Sequence, residues 1–77
     1  MDYFKFSLII KEKRINKRLT QKEIASMLLI SKSRYNRIEN GKSEPSFNEL
    51  ILLCKILDID FSKETKENEV SFRPHYD

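Results

Sequence analysis

The side chains most capable of chemistry in this chain are concentrated in the hexapeptide KSRYNR at residues 32–37. This segment carries cationic, amide and hydroxyl groups, on Lys32, Ser33, Arg34, Asn36 and Arg37. Arg and Lys form hydrogen bonds with guanine O6 and N7, and Asn forms a matching pair with adenine N6 and N7. No nucleophile, base and orienting group can be assembled around them, so the segment predicts nucleic-acid binding rather than catalysis.

Helix signals on both sides place this segment on the second of two short helices. Thr20 and Glu23 form a capping box, in which each side chain satisfies a backbone N–H at the start of the first helix. Ser31 is a second N-cap residue, and Gly41, the only glycine in the chain, suits the left-handed position that ends a helix. Residues 20–41 are therefore predicted to form two helices joined by a tight turn.

Further helices are predicted before and after this pair. Apolar residues at helical spacing predict a first helix over about residues 3–17, with Phe6 and Ile10 on one face. A second capping box, Ser46 with Glu49, precedes an apolar ladder that predicts a fourth helix, and a weakly specified fifth helix is expected to follow. The expected fold class is all-α, a compact domain of four to five helices.

Length and charge limit the organisation of the chain. Its 77 residues, 39% of them apolar, predict one domain over residues 1–62 and a polar tail over 63–77, a candidate arm for a partner or a dimer. Residues 1–45 hold eleven Lys or Arg against five Asp or Glu, whereas residues 46–77 hold four against seven. This asymmetry favours a cationic face that meets a polyanion, although an uneven solvated surface has the same signature.

Other features of the sequence indicate where the protein acts. A single cysteine excludes an intramolecular disulfide and fits a reducing cytosol, and the sequence shows neither a signal peptide nor an apolar run of membrane-spanning length. We therefore expect a cytoplasmic, nucleoid-associated protein with no membrane contact. Cys54 falls on the apolar face of the fourth helix and His75 is the single histidine, so no metal and no cofactor are expected.

Many residues match a known family at fixed offsets. They are Arg14, Leu19-Thr20-Gln21, Ile24-Ala25, Leu28, Ile30-Ser31, Ile38-Glu39-Asn40-Gly41 and Pro45-Ser46. Over about residues 6–61 the sequence resembles the lambda-repressor/Cro-type helix-turn-helix regulators, often called the XRE family. The resemblance implies a lambda-repressor-like DNA-binding domain whose third helix lies in the major groove.

The resemblance also implies roles for individual residues. Base contacts are expected from outward side chains of the third helix, Lys32, Ser33, Asn36 and Arg37. Contacts to the DNA backbone are expected from the second helix and the loop after the third, through Gln21, Asn40, Gly41 and Lys42. Arg34 projects away from the side of Lys32, so it is assigned to the flanking backbone, with a base contact as the alternative. Arg14 and Glu39 match an inward ion pair that ties the first helix to the end of the third. The alternative is that these are two exposed charges that never meet.

Some residues depart from the family pattern. Leu29 stands where a turn glycine is usual, so either the turn differs or a leucine adopts a positive φ angle. Asp58 occupies a second such glycine position. Tyr35 replaces an aliphatic residue, and its hydroxyl then needs a hydrogen-bond partner or water. Thr65 replaces a leucine expected in the fifth helix, a change that weakens the helix that helps to form the dimer in many relatives.

The expected function is that of a sequence-specific transcriptional regulator, such as a Cro-type repressor, that binds double-stranded DNA. It is expected to act as a homodimer on an inverted repeat. One alternative is an antitoxin whose tail binds a toxin, suggested by the acidic balance and the spaced apolar residues of that tail. A second alternative is a protein-interaction scaffold that has lost DNA binding, and the cations of residues 32–37 argue against it.

Overall fold

The computed structural model describes residues 3–60, which form four helices and no strand. These helices are α1 (Tyr3–Asn16), α2 (Gln21–Leu28), α3 (Lys32–Glu39) and α4 (Phe47–Ile56). The all-α fold class is thereby confirmed. The expected fifth helix and the tail over 63–77 lie outside the described residues. In the part of the chain that is described, no helix is long and apolar enough to cross a membrane.

Side-chain caps start three of the helices where the sequence signals predicted. Thr20 Oγ1 accepts from the Glu23 N–H at 3.0 Å, and the Thr20 N–H donates to Glu23 Oε1 at 2.7 Å. Ser46 and Glu49 form the same reciprocal pair at the start of α4. Ser31 Oγ accepts from the Arg34 N–H at the start of α3. The two capping boxes and the third N-cap are confirmed, and each satisfies backbone donors that would otherwise have no helical partner.

One apolar core joins the four helices. It consists of ten buried residues: Phe6, Ile10, Ile24, Ala25, Leu28, Tyr35, Ile38, Leu53, Leu57 and Ile59. Leu19 and Ile30, which precede the caps of α2 and α3, pack against this core and so fix how the chain enters each helix. Phe47 belongs to the apolar ladder of α4, but it is 74% exposed. The core therefore holds α2 and α3 as a rigid pair on α1 and α4.

Each of the four helices is followed, within two residues of its last residue, by a residue with a positive φ angle. These residues are Arg18 (59°), Leu29 (60°), Gly41 (74°) and Asp58 (56°). At the end of α2 the Leu29 N–H donates to Ser26 O, and the Ile30 N–H donates to Ala25 O at 3.0 Å. This pair of bonds is the Schellman pattern, which satisfies the last helical carbonyls. Leu29 therefore adopts the left-handed conformation that the family usually gives to glycine, and the turn is retained.

The conformation of Leu29 leads to a prediction about stability. A left-handed φ costs an ordinary residue about 1–2 kcal/mol, and glycine avoids this cost but loses about 0.5–1 kcal/mol more backbone entropy on folding. Because the Leu29 side chain is 91% exposed, its removal forfeits little packing. We expect Leu29→Gly to raise the free energy of unfolding by up to about 1 kcal/mol in urea titrations.

Leu29→Ala is the matched control, since it removes the same exposed side chain but keeps the Cβ atom that disfavours a positive φ. It should be no more stable than the parent. A Leu29→Gly protein that unfolds at the same urea concentration as Leu29→Ala would contradict a strain larger than the backbone entropy that glycine loses on folding.

Candidate nucleic-acid interface

A buried ion pair joins α1 to the end of α3. Arg14, in the last turn of α1, places Nε 2.7 Å from Glu39 Oε2 and Nη2 3.0 Å from Glu39 Oε1. Its remaining nitrogen, Nη1, donates to Leu19 O at 2.7 Å. Glu39 is only 3% exposed. The structure thus brings together the two charges matched by the family resemblance, in the bidentate geometry that suits guanidinium and carboxylate.

Two further donors complete the surroundings of the Glu39 carboxylate. The Tyr35 hydroxyl donates to Oε2 at 2.8 Å, and Gln21 Nε2 donates to Oε1 at 2.9 Å. With the two bonds from Arg14, each oxygen accepts two hydrogen bonds, which is the capacity of an ionised carboxylate. Within residues 3–60 no buried side-chain nitrogen or oxygen lacks a partner. Glu39 therefore ties α1, the start of α2 and α3 to one buried charge.

Ionisation of this centre follows from its contacts. Burial by itself would raise the pKa of Glu39, but hydrogen bonds from Arg14, Gln21 and Tyr35 outweigh it and leave that pKa below its usual value. Burial first, and then the hydrogen bond to Glu39, raise the pKa of Tyr35 far above its usual value. At neutral pH Glu39 is consequently an anion, and Tyr35 is a neutral hydrogen-bond donor. Glu39 is therefore the hydrogen-bond partner that the buried Tyr35 hydroxyl requires.

Hydrogen bonds continue from this buried centre to the protein surface. Gln21 Oε1 accepts from Asn36 Nδ2 at 3.2 Å, and Asn36 Oδ1 accepts from Asn40 Nδ2 at 3.1 Å. Gln21 is half-buried as the first residue of α2, whereas Asn36 and Asn40 are exposed. A helix N-terminus attracts anions through its unpaired backbone N–H groups. This position suits Gln21 to a contact with phosphate beside the outer face of α3.

The outer face of α3 carries the four side chains expected to contact bases. Lys32, Ser33 and Asn36 line a surface cleft of about 280 Å³ together with Gln21. Arg37 lies one turn along and donates from Nε to Ser43 Oγ at 3.0 Å. All four of the expected base-contacting residues are exposed. A second cleft of about 480 Å³ extends this surface and is lined by Arg14, Arg18, Leu19, Thr20, Gln21, Lys22 and Lys32.

The loop after α3 adds a close turn and a further cation to this surface. Gly41 has a φ of +74°, and the Lys42 N–H donates to Arg37 O at 2.8 Å. A Cβ atom on Gly41 would lie 3.4 Å from both Phe4 Cδ1 and Ser7 Oγ, so the backbone approaches α1 closely here. Asn40 and Lys42 are exposed beside it. The turn therefore presents the side-chain amide of Asn40 and the ammonium group of Lys42 at one end of α3.

Arg34, unlike the exposed side chains beside it on α3, forms an ion pair with a residue of α4. Its Nε and Nη2 donate to the two carboxylate oxygens of Glu49 at 2.9 and 2.7 Å, and Nη2 lies 3.5 Å from Glu44 O. The hydrogen bond from Arg34, assisted by the Ser46 backbone N–H, lowers the pKa of Glu49 to about 2. Arg34 therefore joins α3 to the capping box of α4, and it is not directed into the cleft that Lys32 and Asn36 line.

Sequence reasoning missed several of these contacts, and three of them show why. Tyr35 and Glu39 lie four residues apart on one helix, a spacing that places side chains on the same face and could have indicated their bond. Gln21 to Glu39 and Arg34 to Glu49 join different helices, 18 and 15 residues apart. No local pattern predicts such pairs, because they depend on how the helices pack.

Comparison with known proteins agrees with this geometry. A helix-turn-helix family model matches residues 10–63, which includes α2, α3 and α4 entirely. The chain belongs to this helix-turn-helix family. The resemblance to the lambda-repressor/Cro type is thereby confirmed.

One curated relative is also similar. It is the uncharacterized HTH-type transcriptional regulator YqaE of Bacillus subtilis (strain 168), which is 36% identical over 70 residues covering 88% of this chain. The match spans 60% of the relative's length. No solved structure matches the chain.

The Arg34–Glu49 pair leads to a prediction about acid stability. The folded-state pKa of Glu49 is about 2, below the value of about 4.3 expected in the unfolded chain. The pair therefore contributes stability above about pH 4.3, and this contribution disappears as the pH falls towards 2. We expect Arg34→Met to lower the Tm at pH 7 and to differ less and less from the parent as the pH falls through this range.

Arg37→Met is the matched control, since Arg37 lies on the same helix but bonds to the Ser43 hydroxyl instead of a carboxylate. Its Tm difference from the parent should change little between pH 7 and the acid range. If the Tm difference caused by Arg34→Met stays constant on acidification, the ion pair does not stabilise the native state.

Proposed function

We propose that this chain is a transcriptional regulator that binds double-stranded DNA in a sequence-specific manner, with α3 in the major groove. The observation that carries the proposal is the cleft lined by Lys32, Ser33 and Asn36 on a helix whose inner side is fixed by Glu39. A major groove admits one α-helix, and residues near its N-terminus reach the base edges. Family membership and the name of the relative support the same regulator class.

We assign base readout to Lys32, Ser33, Asn36 and Arg37. Their exposed hydroxyl, amide and cationic groups offer donors to guanine and a donor–acceptor pair to adenine. This surface also argues against a scaffold that has lost DNA binding, because protein partners do not require exposed Lys32 and Arg37 beside one cleft. The antitoxin alternative depends on residues 63–77, which lie outside the described part of the chain.

Phosphate contacts are proposed on both sides of that readout surface. Gln21 lies at the N-terminus of α2, and Asn40, Gly41 and Lys42 lie at the end of α3. Such contacts fix the register of a protein on the duplex without reading sequence. Arg34 stays in this set of proposed backbone contacts, and we propose that it also holds α3 against α4 through Glu49.

We also propose that two copies bind an inverted repeat. In dimers of this docking class the two half-sites lie about one helical turn, roughly 34 Å, apart. Partly exposed apolar side chains on α4, at Phe47, Ile51 and Leu52, provide surface that a second copy can cover. A symmetric motif recovered by selecting duplexes from a random library would support the dimer, whereas a single asymmetric motif would contradict it.

The proposed division between base and phosphate contacts predicts different losses for two variants. Arg37→Ala should weaken binding to the selected operator by about 1–3 kcal/mol and binding to a scrambled duplex much less. Lys42→Ala should weaken both and reduce the slope of log K against log salt concentration by about one. Fluorescence anisotropy on both duplexes over a range of salt concentrations measures these quantities. Equal losses on the two duplexes for Arg37→Ala would contradict its assignment to base readout.

A further inference from the structure

Three side-chain amides follow one another from the buried carboxylate of Glu39 to the surface of α3. Gln21 Nε2 donates to Glu39 Oε1, Asn36 Nδ2 donates to Gln21 Oε1, and Asn40 Nδ2 donates to Asn36 Oδ1. The three distances are 2.9, 3.2 and 3.1 Å. We define these three residues as the amide series. In each member the NH₂ group faces towards the Glu39 carboxylate and donates a hydrogen bond in that direction. The amide oxygens of Gln21 and Asn36 face the other way, and each accepts a hydrogen bond from the next member.

The direction of this series has a physical origin. A side-chain amide has a donor at one end and an acceptor at the other, so an isolated Asn or Gln can present either end. An ionised carboxylate only accepts hydrogen bonds. Glu39 therefore requires the NH₂ group of Gln21, which leaves the Gln21 oxygen facing Asn36 and the Asn36 oxygen facing Asn40. Reversing any one amide would place two donors or two acceptors opposite each other, at the cost of a lost hydrogen bond.

Hydrogen bonds stabilise the ionised state of Glu39, on which the direction of the amide series depends. Arg14 contributes two charge-assisted hydrogen bonds to Glu39, and the Tyr35 hydroxyl contributes a third. These bonds, with that from Gln21, keep the pKa of Glu39 below its usual value despite burial. The carboxylate is thus an acceptor throughout the neutral range, and the amide series has the same direction throughout it.

We propose that Glu39, although buried, is a positioning residue for sequence readout, because through Gln21 it dictates which way Asn36 presents its donor and acceptor to the major groove. This inference rests on the proposed function, and it deepens the role of the same surface. After its two bonds within the series, Asn36 retains one N–H and one lone pair for a base. Adenine offers N6 as a donor and N7 as an acceptor, so a fixed amide matches it in one orientation only.

The arrangement also links two kinds of contact. Gln21 uses one N–H for Glu39 and retains the second for a phosphate at the N-terminus of α2. The residue that sets register on the backbone therefore also orients the residue that reads a base. An amide that is oriented before binding does not have to be ordered on the DNA, which favours affinity and selectivity together.

The test compares base preferences of variants on duplexes carrying every substitution in the selected operator. Asn36→Ala first identifies the base pair that Asn36 reads. Gln21→Met, which keeps chain length but removes the amide, should lower affinity generally and also reduce preference at that base pair by about tenfold, the size of one lost base contact. Lys42→Met is the matched control, since it removes a phosphate contact outside the amide series and should lower affinity equally for all duplexes.

The outcomes separate this inference from the proposed function. If Gln21→Met keeps the parent preference at the base pair of Asn36, the inference is overturned while DNA readout stands. If the parent protein binds all duplexes equally, the proposed function is overturned and the readout role of Glu39 with it. Glu39→Gln should reduce the same preference, and Gln21→Met carries the test if that variant does not fold.

Nuclear magnetic resonance of the free protein provides a second measurement that needs no DNA. The side-chain NH₂ resonances of Asn36 and Asn40 should both shift in Gln21→Met, because the series loses its first member. They should remain unchanged in Lys42→Met. Asn36 NH₂ resonances that are identical in the parent and in Gln21→Met would overturn the inference, since they would show that the amide has no fixed partner in the free protein.

Discussion

The structure depends on one buried anion, the carboxylate of Glu39. An unpaired charge in a protein interior is so unfavourable that it must be neutralised and hydrogen-bonded. Glu39 meets this requirement with donors from three helices: Arg14 from α1, Gln21 from α2 and Tyr35 from α3. Any displacement of one helix relative to the others would remove at least one hydrogen bond from this buried carboxylate. The charge therefore selects one packing arrangement from those that the apolar core alone would accept.

A second carboxylate acts on the other side of α3. Glu49 completes the capping box of α4 and also accepts both bonds from Arg34. The helix α3, only eight residues long, is thus tied at one side to α1 and α2 and at another to α4. The exposed side chains between these contacts, notably Lys32 and Asn36, remain available for a ligand. Under the proposed function, fixing a short helix in this way sets the angle at which it meets the major groove without using its outward side chains.

Much of this architecture follows from local sequence signals. The caps at Thr20, Ser31 and Ser46 predict the helix starts, and the left-handed position of Gly41 predicts the end of α3. These features are predictable because each depends on residues only a few positions apart. The sequence did not decide whether Leu29 adopts a positive φ angle or whether the turn differs from that of the family. Only the backbone geometry decides this, and it gives Leu29 a positive φ angle.

The contacts between helices in the candidate site were harder to predict from the sequence. The family resemblance matches Arg14 with Glu39, and the structure places their atoms 2.7 Å apart. Gln21 was expected to contact phosphate alone, although it also bonds to Glu39 and Asn36. Arg34 was expected to contact the DNA backbone, and its ion pair with Glu49 was not anticipated. Such partners are set by the packing of separate helices, which has no signature in residue spacing.

The most direct test of the central claim is a double-mutant cycle on the free energy of unfolding. It uses Arg14→Met, Glu39→Gln and the two together, measured by urea titration at pH 7. Each single variant should lose about 3 kcal/mol because it strands a buried partner, and the double variant should lose clearly less than the sum. Strictly additive losses would contradict the claim that this ion pair is the interaction on which the arrangement of the helices depends.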